Sequence, residues 1–163
     1  MGTKGASGLK KAVLGSNTAS VIEYSRIPVL AVPQRAQFRG FKDIVYACDL
    51  KKVDKELKTL IPYAQEFGST IHLLHIAAKG KDVDALEEKV DKAVKKFDYE
   101  NMVTLVLVDR YVEGAIDQYI GVSKADLLVM FTHDLTFYEK VFDRSMTRKM
   151  AFQSNVPLLA FKS

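Results

Sequence analysis

The most constraining feature of the chain is a run without a polar face. Residues 103–108 read VTLVLV, apolar or β-branched at every position. A strand with one wet face alternates polar and apolar residues. A continuous run instead reads as a strand buried on both faces, as in a parallel sheet. Ile44–Ala47, Ile71–Ala77 and Leu127–Phe131 are runs of the same kind. Between them the apolar period changes to three or four. Val53, Leu57, Leu60, Ile61, Ala64 and Phe67 form one stripe, and Val83, Leu86, Val90, Ala93, Val94 and Phe97 a second. Each stripe predicts an amphipathic helix, over 53–67 and 83–97. A shorter helix is expected over Tyr111–Val122. A last strand, Val156–Phe161, is entered through Pro157.

From residue 41 onward the order is therefore β-α-β-α-β-α-β-α-β. Strands alternating with helices imply βαβ units with right-handed crossovers. The expected class is α/β, an open parallel sheet with helices on both faces. Ligands in such sheets sit beyond the carboxyl ends of the strands, where the strand order reverses.

Composition narrows the partners. The 163 residues suit one full domain. The net charge of +4 is too small to require nucleic acid, and no basic run exceeds two residues. Nucleic-acid binding would want an unbroken basic face with aromatic stacking partners. Cys48 is the single cysteine, which excludes an intrachain disulfide and fits a reducing, cytoplasmic compartment. No apolar run approaches the roughly 18 residues of a membrane helix.

The chain also repeats itself. Shifted by 129 residues, the first 34 align on the last 34 without a gap. Nine positions are identical, among them Met1/Met130, Thr3/Thr132, Ser16/Ser145, Pro28/Pro157, Leu30/Leu159 and Ala31/Ala160. Chance would give about two. A shift the length of a domain is the mark of a tandem rather than a solenoid. Residues 1–34 then read as the end of a first domain: glycine loop, helix over Asn17–Ser25 and last strand. Residues 35–40 read as a linker and 41–163 as a complete second domain. Met1 falls opposite the internal Met130, so the expected start is an interior methionine of a longer tandem protein.

The first copy carries Gly2-Thr-Lys-Gly5, nine residues, then Gly15-Ser16. Glycines let backbone N–H groups approach an anion with no Cβ in the way and permit positive φ. Ser16 stands where the helix would begin, able to cap it and to offer its hydroxyl to a phosphate. The pattern G-x2-G-x9-G-[S/T], followed by a helix and IPVLAV, resembles the nucleotide-binding signature of the universal stress protein family. Phe41–Asp49 is similar to that family's first strand and Ala125–Met130 to its fourth. The resemblance implies a five-stranded parallel sheet of order 3-2-1-4-5, with residues 1–34 as a helix-strand remnant of a preceding copy. It also implies a homodimer or tandem pairing through the last strands, and ATP or AMP as ligand, or no nucleotide. It implies a stress-response role without catalysis. Carried over by position, Gly2, Gly5, Gly15 and Ser16 match the phosphate-binding residues. Asp49 matches an adenosine-contacting aspartate, and Ile76 lies near the adenine position.

The second copy departs from the motif. Gly2, Gly5 and Gly15 become Phe131, Asp134 and Arg144, and only Ser145 persists. Two side chains stand where bare backbone is needed. Asp134 would repel a polyphosphate by about 1 to 4 kcal/mol per charge pair at 4 Å. The complete domain is therefore expected not to bind ATP at its own site. One arrangement pairs the remnant with the last strand. Another rebuilds a composite site from Asp49 and Gly2–Ser16 beside residues 41–48. A weak ATPase and a pure interaction module are the alternative functions; no residues with catalytic spacing appear.

His72 and His75, three apart on a strand, face opposite ways and cannot chelate one ion, and His133 is remote in sequence, so no metal site is expected. Cys48 reads as an inert buried thiol. The lysines of 79–96 alternate with acids at helical spacing and read as a solvated face. Asp109, ending the third strand of the domain, reads as a turn cap.

Overall fold

The computed structural model describes residues 21–22, 25–33, 36–132 and 156–162. Among them the elements run β1 (Val29–Ala31), β2 (Asp43–Cys48), α1 (Val53–Phe67), β3 (Thr70–Ala77), α2 (Val83–Val94), β4 (Met102–Val108), α3 (Val112–Ser123), β5 (Leu127–Thr132) and β6 (Leu158–Lys162). The α/β class and the alternation of elements agree with the sequence pattern. The sheet does not have five strands. It has six, in the order β1-β6-β5-β2-β3-β4. The added member is β1, which runs antiparallel to β6, whereas the other four pairings are parallel. From residue 43 onward the strands read β4-β3-β2-β5-β6.

β2 is the central strand, and from Ile44 to Cys48 every residue is buried. Its alternate side chains feed two cores. Ile44, Tyr46 and Cys48 meet Leu57, Leu60 and Ala64 of α1 and Val90 of α2 on one face. Val45 and Ala47 meet Ile116 and Ile120 of α3 on the other. The VTLVLV run lies not at the centre but in β4, at the end of the strand order, and Val103 and Val108 remain about half exposed there. Apolar continuity marked a strand correctly and did not rank its burial.

Helix ends follow local chemistry. α1 stops at Gly68, whose φ of +59° is left-handed; Gly68 N donates to Gln65 O and Ser69 N to Ala64 O. The Lys42 ammonium donates to Phe67 O at 2.6 Å, placing a cation at the negative end of the helix. α2 starts under an Asp82 carboxylate that accepts from Ala85 N at 3.1 Å. It ends at Val94 rather than at the expected Phe97, because Lys96 N and Phe97 N donate three residues back, to Ala93 O and Val94 O. The amino edge of the sheet is tied by Asp126, whose carboxylate accepts from Lys42 N and Asp43 N. His72 bridges Asp43 and the Tyr119 hydroxyl, at 3.1 and 2.9 Å.

The β1–β6 ladder has a symmetry the repeat explains. Val29 faces Ala160, Leu30 faces Leu159 and Ala31 faces Leu158. Under the 129-residue shift Leu30 is the counterpart of Leu159, and Val29 and Ala31 are the counterparts of Leu158 and Ala160. The two copies thus pair about a local twofold axis between Leu30 and Leu159, the self-complementary geometry of an isologous contact. β1 does not lie beside β2, whose neighbours are β3 and β5, so the composite arrangement is not formed within this chain.

Two substitutions test this account by urea denaturation. Leu57→Ala empties a fully buried site beneath β2 and should cost about 2 to 5 kcal/mol. Gly68→Ala has space for its Cβ, with Lys42 Nζ the nearest atom at 3.6 Å, yet should cost about 1 kcal/mol through its positive φ.

Candidate functional site

The strand order reverses between β2 and β5, so the crevice of an open α/β sheet falls beyond their carboxyl ends. Register brings three of the expected residues to this end. Ala47 pairs with Met130 and Cys48 with His75, which places Asp49, Phe131 and Ile76 at the same rim. Gly2, Gly5, Gly15, Ser16, Asp134, Arg144 and Ser145 lie outside the described residues, as do His133 and most of the expected helix over 17–25.

Asp49 is committed locally. Its Oδ1 accepts from Lys51 N at 3.0 Å, closing an Asx turn, and its Oδ2 lies 3.3 Å from the Lys51 ammonium. The following residue, Leu50, is buried with φ +61°, so the strand leaves the sheet through a left-handed step held by core packing. Ile76 faces the α3 side of the sheet and packs in that core. His75 points to the opposite side from His72, as the strand spacing requires. Its Nδ1 lies 2.9 Å from Cys48 O. A carbonyl can only accept, so this nitrogen carries the proton.

Phe131 holds the position that corresponds to Gly2 in the first copy. Its ring is buried, stacks on Phe161 at 4.8 Å and meets Tyr46 edge-on at 5.7 Å. The side chain that replaces the first loop glycine has become part of the core under α1.

Beneath the rim lies a polar group that sequence reasoning passed over. Glu56 is almost fully buried in the first turn of α1 and accepts a hydrogen bond from the Tyr46 hydroxyl. The signal was available: Glu56 falls three residues after Val53 and four before Leu60, on the apolar stripe. Burial, reinforced by the negative Glu56, raises the Tyr46 phenol far above its ordinary range. Cys48, 7% exposed, is likewise pushed up to about 12, chiefly by burial, with Glu56 and Asp49 adding to the shift and Lys89 opposing it. The carboxyl end of β2 therefore presents a neutral thiol, a neutral phenol and a carboxylate with Oδ1 held by its own turn and Oδ2 buried without a hydrogen bond. Among the described residues no cluster of metal-ligating side chains occurs. Asp109 caps the turn after β4 by accepting from Tyr111 N at 2.7 Å.

Residues 1–33 match the model of the universal stress protein family. No curated protein matches the chain. Among solved structures, a universal stress protein from Archaeoglobus fulgidus DSM 4304 is similar with a TM-score of 0.72 at 21% identity, covering 99% of this chain and 59% of that one. A protein of unknown function from Pseudomonas aeruginosa PAO1 gives 0.62 at 16% identity, covering 99% and 61%. A universal stress protein in complex with cAMP gives 0.58 at 15% identity, covering 76% and 98%. The chain thus spans about three fifths of the length of the first and second of these proteins. The family match covers residues 1–33, and the solved structures share the fold of the chain. No helix among the described residues is long and apolar enough to cross a membrane.

The thiol gives a direct check. Cys48 should stay unmodified by a disulfide reagent at pH 8 in the native protein and react at once in denaturant. Its ionised fraction is negligible until the pH nears 12.

Proposed function

We propose that the chain is a non-catalytic stress-response protein of the universal stress type, working as a tandem-paired module. In this reading the complete domain is a docking half that does not hold a nucleotide at its own strand ends. Adenine-nucleotide chemistry belongs to the first copy, through Gly2, Gly5, Gly15 and Ser16. The cAMP held by a neighbour of the same fold supports an adenine nucleotide as the ligand class. The observation that carries the reading is the twofold β1–β6 ladder, in which the repeated strand recognises its own copy. Phe131 supports the second half of it, since its ring is already spent on core packing. Last-strand pairing, which a homodimer would supply with two chains, is met here within one, because β1 occupies the edge of β6. A location in the reducing cytoplasm is consistent with a single buried thiol.

The symmetry supplies the test. Leu159→Cys places a thiol on the twofold axis. If two chains paired through β6, Leu159 would face itself and the variant would oxidise to a disulfide-linked dimer. The expected result is a monomer on non-reducing electrophoresis. Leu30→Cys with Leu159→Cys should close within one chain, since directly opposite strand positions come within disulfide reach. Crosslinked dimers of the single variant would overturn intrachain pairing. Nucleotide binding is read separately by amide NMR. Addition of millimolar ATP should leave Asp49, Phe131 and Thr132 unmoved, and saturable shifts there would show that the complete domain keeps a nucleotide site.

A further inference from the structure

We propose that the groove between the start of α1 and the middle of α2 is a binding site for a small, multiply phosphorylated anion, separate from the crevice at the strand ends. In sequence the lysines of α2 look like a solvated face. The fold places others against them. Lys51, Lys52 and Lys55, from the start of α1, line the same cavity of about 560 Å³ as Lys89, Lys92 and Lys96. Six lysines and two acidic residues, Asp54 and Glu88, line it. The excess of four positive charges equals the net charge of the entire chain.

Both carboxylates are already engaged. Lys96 reaches Asp54 at 2.5 Å, and Lys92 reaches Glu88 at 2.6 Å. Behind the rim Asp49 holds Lys51. No ion pair engages Lys52, Lys55 or Lys89 among the described residues. These three exposed lysines therefore line one volume without a carboxylate ion pair among the described residues.

The start of α1 points the same way independently. Lys52 sits at the N-cap of a 15-residue helix and makes no side-chain capping bond. The positive end of a helix dipole disfavours cations and favours anions. The first turn also carries Asp54 and Glu56, engaged by Lys96 and Tyr46, so the three lysines in or beside it remain placed to meet an anion at the uncapped end. The chemistry selects the anion. The lining contains lysine and no arginine. Lysine acts as a compact point charge suited to phosphate oxygens, without arginine's planar fork for carboxylates. The volume lies in the range of small-ligand sites, so it suits an ion carrying two or three phosphates.

The probe is inorganic tripolyphosphate, titrated without magnesium into the labelled full chain at about 20 mM salt, where screening is weak. Saturable amide shifts are expected at Val53–Lys55 and around Lys89 and Lys92, with none at Phe131 or Thr132. Binding should weaken steeply by about 200 mM salt. Replacing Lys52, Lys55 and Lys89 together by glutamine should weaken it roughly tenfold or more. None of the three leaves an orphaned carboxylate, and the single variant Lys89→Gln should weaken it in the same direction. Lys79→Gln with Lys81→Gln, outside the groove, should leave the affinity within about twofold. Equal weakening by the two variants, shifts spread over every lysine, absence of saturation, or tighter binding of a short oligonucleotide than of tripolyphosphate would each overturn the assignment.

Discussion

Covering both faces of a parallel sheet is the requirement from which the rest of this structure follows. β2 carries buried side chains in both directions, so neither face can be left to water. The chain meets that need in two passes. β2, β3 and β4 step outward in one direction, with α1 and α2 laid on one face. The chain then returns to β5 on the far side of β2, and α3 covers the opposite face. Right-handed crossovers leave no other assignment of helices to faces. The reversal of direction is also what puts the crevice between β2 and β5. The location of the candidate site is therefore a product of handedness and burial, before any side chain in it is considered.

Most of this was legible because it rests on periodicity. The bounds of α1 match the apolar stripe from Val53 to Phe67, and β3 and β5 fall within a residue of their runs. What was not legible depends on relations between elements. VTLVLV reads as the most buried strand and lies at the end of the sheet, because hydropathy records side chains and not neighbours. The strand of the N-terminal remnant was legible from the repeat, but which strand it would join was not, because two arrangements fitted the same residues. The family resemblance placed Asp49 and Phe131 at the right rim. It did not show that one is held by its own turn and the other by an aromatic stack. The lysine groove was invisible for the same reason: its two halves lie on different helices, more than 30 residues apart.

At the rim, the position that the repeat aligns with Gly2 is filled by a ring that packs in the core. A glycine loop contributes little to a core, since it exposes backbone to a ligand. Phe131 instead adds a ring to the stack with Phe161 and Tyr46. Aromatic contacts of this geometry contribute about 0.5 to 1.5 kcal/mol beyond burial. Tyr46 in turn donates to Oε2 of Glu56, lowering the cost of burying that carboxyl beneath α1. One substitution in the loop is thus tied to the packing of two strands and a helix, and reversing it would open a hole in the core.

The ladder between β1 and β6 is only three residues long. Between separate molecules so short a contact would scarcely survive the loss of translational freedom on association. Within one chain that loss has already been met, and the tether presents β1 to β6 at an effective concentration on the order of millimolar. A free copy of the same strand would have to reach about that level to compete on equal terms. Covalent connection, more than the strength of any contact, therefore decides which copy of the repeated strand β6 meets.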